Sequence, residues 1–235
     1  MAGITPVRVY RPGLRSSMDW ASAVSFRYYD VMVNGIKVSE VAAVPVHLKE
    51  MALGFLLSNG YIEDPEAVES ISVEDSTIQV EVTPDFEFRI RSLRGKNPLE
   101  DIELLPVTTS FSISQEKIME KVSQAMSNSG LDFYSVSDDN GYSFTAEDVK
   151  PETALYKAVG RAHMDHFDLR KSFFVTSFVL APEDVIRLAY LGVPIVGTTK
   201  LPTDIAITVA ENLGITLFSI GVDGVAIYTH SSRIQ

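Results

Sequence analysis

Apolar and polar positions follow two different rhythms along this chain. From Val24 to Val33 aromatic and β-branched residues dominate, and Asn34-Gly35 follows. That dipeptide tolerates positive φ at both positions and predicts a tight hairpin, with Ile36 to Val44 as the return strand. Pro45 closes that strand, because proline has no N–H to give to a ladder. Helical spacing then takes over from Leu48 to Ser58. Leu48, Met51, Ala52, Phe55 and Leu56 share one face, and Leu53 and Leu57 widen it, so the helix is expected to be buried on most sides. Asn59-Gly60 supplies a left-handed stop. Gly54 inside the helix costs about 1 kcal/mol relative to Ala, which predicts a close backbone approach there. Ile78 to Val82 and Phe86 to Ile90 alternate as further strands.

Ser92 to Pro106 is polar and broken by Gly95, Pro98 and Pro106, the pattern of a long loop or linker. Beyond it the rhythm changes. Ser114 to Met126 predicts a helix with Ser114 as its cap. Asp132 to Val136 and Tyr142 to Thr145 flank the turn Asp138-Asp139-Asn140-Gly141, and Thr153 to Met164 predicts a helix with Pro151 near its start. A β-α-β-α-β series follows: strand Phe173 to Phe178, helix Pro182 to Leu191 closed by Gly192, strand Val193 to Gly197, helix Thr203 to Leu213 closed by Gly214, strand Ile215 to Ile220. Gly221 to Gly224 turns into a last strand, Val225 to Thr229. Continuous apolar strands alternating with helices predict a sheet covered on both faces. The expected fold class is α/β (α+β overall), with a smaller β-rich N-terminal domain over 1–110 carrying one buried helix (47–60) and an α/β domain over 111–235.

Composition removes several mechanisms. The 235 residues include no cysteine, so there is no thiol nucleophile, disulfide, iron–sulfur cluster or thiolate zinc site. With 20 basic and 31 acidic residues the net charge is −11, which argues against sequence-independent nucleic-acid binding. No apolar run approaches the roughly 20 residues of a membrane helix. The N-terminus lacks the form of a signal peptide, so a cytoplasmic location is expected.

His163, Asp165, His166 and Asp168 cluster at one helix end, where a metal is conceivable. Imidazoles complementing the helix dipole are the preferred reading there. Neither G-x-x-x-x-G-K-[ST] nor G-x-G-x-x-G is present. In open α/β sheets, ligands bind beyond the carboxyl ends of the strands. Two such ends are polar: Thr176-Ser177, and Thr198-Thr199-Lys200 leading to Thr203-Asp204. Two readings stand: an anion held by hydroxyls, an ammonium and a helix start, or a helix N-cap with Lys200 in solvent.

Ala52 to Ile62 (ALGFLLSNGYI) resembles the apolar helix of the FdhD/NarQ family. Val31 to Gly35, Leu99-Glu100-Asp101-Ile102, Leu105-Pro106, Glu147-Asp148-Val149 with Ala154 to Lys157 and Gly160, and Pro202 to Thr229 resemble further family segments in the same order, over roughly residues 28 to 233. The resemblance implies a three-layer C-terminal domain similar to cytidine deaminases. It also implies an accessory role for formate dehydrogenase, in which sulfur passes from a cysteine desulfurase to a bis-molybdopterin guanine dinucleotide cofactor. The family's transfer loop is Cys-Gly-x-Cys-Gly. Counted back without gaps from Leu99, those positions fall on Arg91-Ser92-Leu93-Arg94-Gly95. Both thiols are replaced by guanidiniums, which suit oxyanions and cannot carry persulfide. The deaminase zinc signature is absent as well.

The expected function is that of a sulfurtransferase-like accessory protein for molybdenum cofactor maturation, without catalytic residues or metal ligands of its own. Molybdopterin guanine dinucleotide or a guanine nucleotide is the expected ligand. Its expected contacts are Arg91, Arg94, Thr176, Ser177, Thr198, Thr199, Lys200, Thr203 and Asp204. Formate dehydrogenase, a cysteine desulfurase and a second copy of the chain are the implied partners, with no nucleic acid or membrane. The alternatives are a non-catalytic regulatory or ligand-binding protein, and a hydrolase or transferase using Asp204, Lys200, Thr176 or Ser177.

Overall fold

The computed structural model describes residues 3–11, 17–83, 103–126 and 130–235. The expected strand 86–90, most of the linker, and Arg91 and Arg94 lie outside the described residues. The chain forms β1 (Ile4–Arg11), β2 (Ser17–Val24), β3 (Arg27–Val33), β4 (Ile36–Ala43), α1 (Leu48–Ser58), β5 (Val68–Glu74), β6 (Thr77–Val82), α2 (Gln115–Ala125), β7 (Asp132–Ser137), β8 (Ser143–Asp148), α3 (Pro151–Met164), β9 (Phe173–Thr176), α4 (Pro182–Tyr190), β10 (Ile195–Thr198), α5 (Asp204–Asn212), β11 (Thr216–Gly221) and β12 (Gly224–Ile227).

Three sheets result: a β1–β2 ribbon, a four-stranded sheet ordered β4-β3-β6-β5, and a six-stranded sheet ordered β12-β11-β10-β9-β7-β8. The β3–β4 turn forms as its sequence predicts, with Asn34 at φ 45° and Gly35 at φ 74°. Asn34 also clasps β6, donating from Nδ2 to the Val82 carbonyl and accepting from the Val82 N–H. In the larger sheet β9, β10 and β11 are parallel, while β7 and β12 run antiparallel to their neighbours. The sheet is covered on both sides. Phe173, Val175, Ile195 and Phe218 face Ile118 and Val122 of α2. Phe174, Val196, Leu217, Tyr134 and Val136 face α3, α4 and α5 in a core that continues through α1 to Tyr29, Val31, Ile78 and Val80 of the smaller sheet. The class is therefore the mixed α/β one expected. Among the described residues no helix is long and apolar enough to cross a membrane.

Five elements differ from the sequence reading. β1, β2 and β5 carry too many polar residues for their alternation to stand out, and pairing alone defines them. The strand from Phe173 stops at Thr176, because the Thr176 hydroxyl accepts the Phe178 N–H and turns the chain. The last strand ends at Ile227, and Thr229 leaves the ladder to bond β11 through its hydroxyl, accepting from the Leu217 N–H and donating to the Ile215 carbonyl.

α1 and α3 cross with their backbones in contact. A Cβ on Gly54 would lie 1.8 Å from the Tyr156 carbonyl oxygen, and one on Gly160 would lie 1.8 Å from that of Glu50. Beside this crossing Lys157 and Asp148 form a salt bridge of 2.6 Å with both side chains wholly buried. The Lys157 ammonium also donates to the Val44 carbonyl. The carboxylate accepts the N–H groups of Val44 and Val149. Burial pushes the Lys157 amine down, and Asp148 holds it up against that.

Gly54→Ala gains about 1 kcal/mol of helix propensity, but the new methyl has no room. The expected net result is a loss of about 2 kcal/mol or more in denaturant unfolding. Lys157→Met leaves a buried carboxylate unpaired and is expected to cost about 3–5 kcal/mol in the same measurement.

Candidate functional site

The topology brings the two polar strand ends together. β9 and β10 are adjacent and parallel, with Thr176 in register with Thr198. Past them the chain crosses again, where Leu180 and Pro202 form a parallel bridge. α5 starts just beyond, and β7 lies antiparallel on the other side of β9, so its first residue, Asp132, reaches this end of the sheet.

Most of the hydroxyls gathered here bond the protein's own backbone. Thr176 Oγ1 donates to the Phe133 carbonyl at 2.7 Å and accepts from Phe178 N–H. Thr198 Oγ1 donates to the Phe178 carbonyl at 2.6 Å and accepts from Lys200 N–H. Ser177 Oγ donates to Asp132 Oδ1 at 2.8 Å and accepts from Phe133 N–H. Thr203 caps α5 by accepting from Ala206 N–H, and the Asp204 carboxylate accepts its neighbour's N–H at Ile205. Lys200 reaches across to Asp132 Oδ1 at 3.2 Å, with about half of its side chain exposed. An anion arriving at this surface meets Lys200 and the half-exposed Thr199, with Asp132 and Asp204 as competing carboxylates.

A second polar group lies under the same strand ends. Asp184, in the first turn of α4, is 3% exposed. It accepts from the Tyr134 hydroxyl at 2.9 Å and pairs with Arg187 at 3.4 Å. Arg187 continues to Asn59 Oδ1 at 3.2 Å and lies over the Tyr156 ring, tying α4 to the end of α1 and to α3. Burial lifts the Asp184 carboxyl to about 6, against the opposing pull of the Tyr134 hydrogen bond and the Arg187 charge. From sequence the Glu183-Asp184 pair reads as solvated surface, so the burial of Asp184 in this network is a correction, and Asp132 as the partner of Lys200 and Ser177 is not legible there either. Both depend on strand order.

The histidine cluster is dispersed into separate tasks. Asp165 accepts from Arg161 and from the Tyr142 hydroxyl. Asp168 caps the short turn at Leu169–Lys171. His163 Nε2 is buried with no partner. Among the described residues no group of three His, Cys, Asp or Glu is placed to hold a metal ion.

Fold and site together define a mixed α/β protein with polar strand ends stitched by hydroxyl turns and one exposed Lys–Asp pair, and with no thiol for covalent chemistry. The chain belongs to the FdhD/NarQ family, whose profile matches residues 27–235. The sulfur carrier protein FdhD of Wolinella succinogenes is 29% identical over 227 residues, covering 86% of this chain and 79% of the relative. That of Staphylococcus haemolyticus is 27% identical over 228 residues, covering 87% and 86%. The crystal structure of a candidate formate dehydrogenase accessory protein from Desulfotalea psychrophila superposes with a TM-score of 0.78 at 19% identity, covering 99% of this chain and 98% of that one. It shares the fold.

Folding raises the Asp184 pKa above its ordinary 3.8 to about 6, so folding takes up a proton between those values. The resulting stability is present in full below the unfolded value and is lost as pH rises through about 6. Relative to Asp184→Asn, the parent is expected to lose about 3 kcal/mol of unfolding free energy between roughly pH 4 and pH 7.

Proposed function

We propose that this protein serves the maturation of a formate-dehydrogenase-type molybdoenzyme by binding and not by carrying sulfur on its own side chains. One observation carries the reading: the FdhD/NarQ match runs through residues 27–235 of a chain that contains no cysteine. Sulfur relay proceeds by thiolate attack on a persulfide sulfur, with a second thiolate leaving. A guanidinium has no lone pair to offer, and a methionine thioether has no proton to lose, so nothing in this chain replaces the thiol.

The ligand this reading names is the guanine nucleotide end of molybdopterin guanine dinucleotide. Lys200 is its first phosphate contact, released from Asp132 as the anion arrives, and Thr199 supplies the adjoining hydroxyl. A second phosphate needs cations from elsewhere, and Arg91 and Arg94 are the candidates. Guanidinium forks match phosphate oxygens in pairs. Formate dehydrogenase is the partner enzyme, and a cysteine desulfurase would bind without handing over sulfur.

Calorimetric titration with GDP and with the dinucleotide cofactor tests the ligand. The expected result is binding that Lys200→Ala weakens roughly tenfold, the loss of one charge-assisted contact. No heat together with an unchanged melting temperature would sink the ligand claim. Incubation with a cysteine desulfurase and free cysteine tests the chemistry. Intact-mass spectrometry is expected to find no added sulfur, and a protein that gains sulfur mass contradicts the reading.

A further inference from the structure

Between α1, the last turn of α3 and the strand β5 the fold leaves a cavity of about 470 Å³. That size falls within the roughly 300–1,000 Å³ of small-molecule sites. Leu53, Val68, Ile71 and Met164 give it an apolar lining. A smaller cavity of about 300 Å³ lies next to it, against Leu57 and Ile62. The His163 side chain borders both.

The polar part of the lining has a definite sign. Asp64 and Glu66 stand at the short turn Pro65–Ala67. Lys49 is the one lysine or arginine among the described lining residues, and it is exposed. Residues 63–81 hold seven acidic side chains and no lysine or arginine. The local potential therefore favours a cation over an anion.

His163 supplies the second clue. Its Nε2 is buried without a partner, and a buried nitrogen left unbonded is costly. Burial pushes the imidazole pKa down, against the pull of the Asp64 charge. The ring is then neutral near pH 7 and has one nitrogen lone pair to offer. Cavities on two sides give the ring room to turn toward a donor. Asp64 Oδ1 accepts the Glu66 N–H, which leaves its other oxygen to a ligand. A primary ammonium carries three N–H donors, enough for a carboxylate, an imidazole and water.

We propose that this cavity binds a small organic cation, a primary amine with an apolar body. Its ammonium donates to Asp64 and to Nε2 of His163, and Glu66 adds negative charge nearby. Its hydrocarbon or aromatic part lies on Leu53, Val68, Ile71 and Met164. The site shares no residue with the strand-end surface around Lys200, so it is tested separately from the nucleotide.

The probes are phenethylamine and hydrocinnamate, which share a body and carry opposite charges. In NMR titrations of the full-length protein, phenethylamine is expected to give saturable shifts of the His163 imidazole nitrogens and of the methyl groups of Leu53, Val68, Ile71 and Met164. Hydrocinnamate is expected to bind roughly tenfold more weakly or not at all. Asp64→Asn keeps the cap of the turn, since Asn serves there as well as Asp, and should weaken the amine roughly tenfold. His163→Phe keeps a ring of similar shape and should weaken it to a similar degree. The melting temperature of that variant without ligand should hold or rise, because an unbonded buried nitrogen is gone. A histidine with a purely structural task would instead lower it and leave amine binding unchanged. Lys49→Gln removes the opposing cation and should tighten the amine several-fold. No saturable shift with phenethylamine, equal or tighter binding of hydrocinnamate, or amine binding that both Asp64→Asn and His163→Phe leave intact each overturns the proposal.

Discussion

At the crossing of α1 and α3 two backbones meet with no side chain between them. Gly54 and Gly160 each take the space that a methyl group would need, and the close approach lets the apolar surface of α1 reach the core of both sheets. The neighbouring Lys157–Asp148 pair binds α3, the end of β8 and the end of β4 in one hydrogen-bonded knot. A buried ion pair of this kind adds little net stability over an apolar replacement. Its value is positional: the ammonium and the carboxylate have few other places to be satisfied, so competing packings leave them bare.

The strand-end surface depends on this frame and shows how polar residues can look functional while serving structure. Thr176 and Thr198 occupy equivalent places on adjacent parallel strands, and each uses its hydroxyl to end its strand and hold the loop that follows. The repetition is geometric. A parallel strand that leaves a buried sheet must satisfy its last backbone groups before the chain turns into a helix, and a threonine hydroxyl does both jobs. What remains for a ligand is an exposed ammonium already facing Asp132.

Below that surface, Asp184, Tyr134, Arg187 and Asn59 carry a charged connection from the site to the α1 end. The network gives α4 two anchors besides its apolar face. Burial favours the neutral carboxyl, so it is deprotonation, as pH rises through about 6, that places a charge at the junction of the three helices.

The sequence alone determined those features whose physics is local. Positive φ at Asn34-Gly35 set the hairpin. The apolar crowding of Leu48 to Ser58 set a buried helix and made Gly54 a contact point. The Ser114 cap set a helix start, the apolar strand series set a sheet covered on both faces, and the composition set the absence of any thiol on this chain. Only the tertiary structure decided what depends on which strands are neighbours. It placed Asp132 against Lys200, because β7 runs antiparallel to β9. It revealed β1, β2 and β5, whose polar residues hide their alternation until a partner strand defines them. Such relations join residues tens to hundreds of positions apart, and no local pattern of hydrophobicity or charge encodes them.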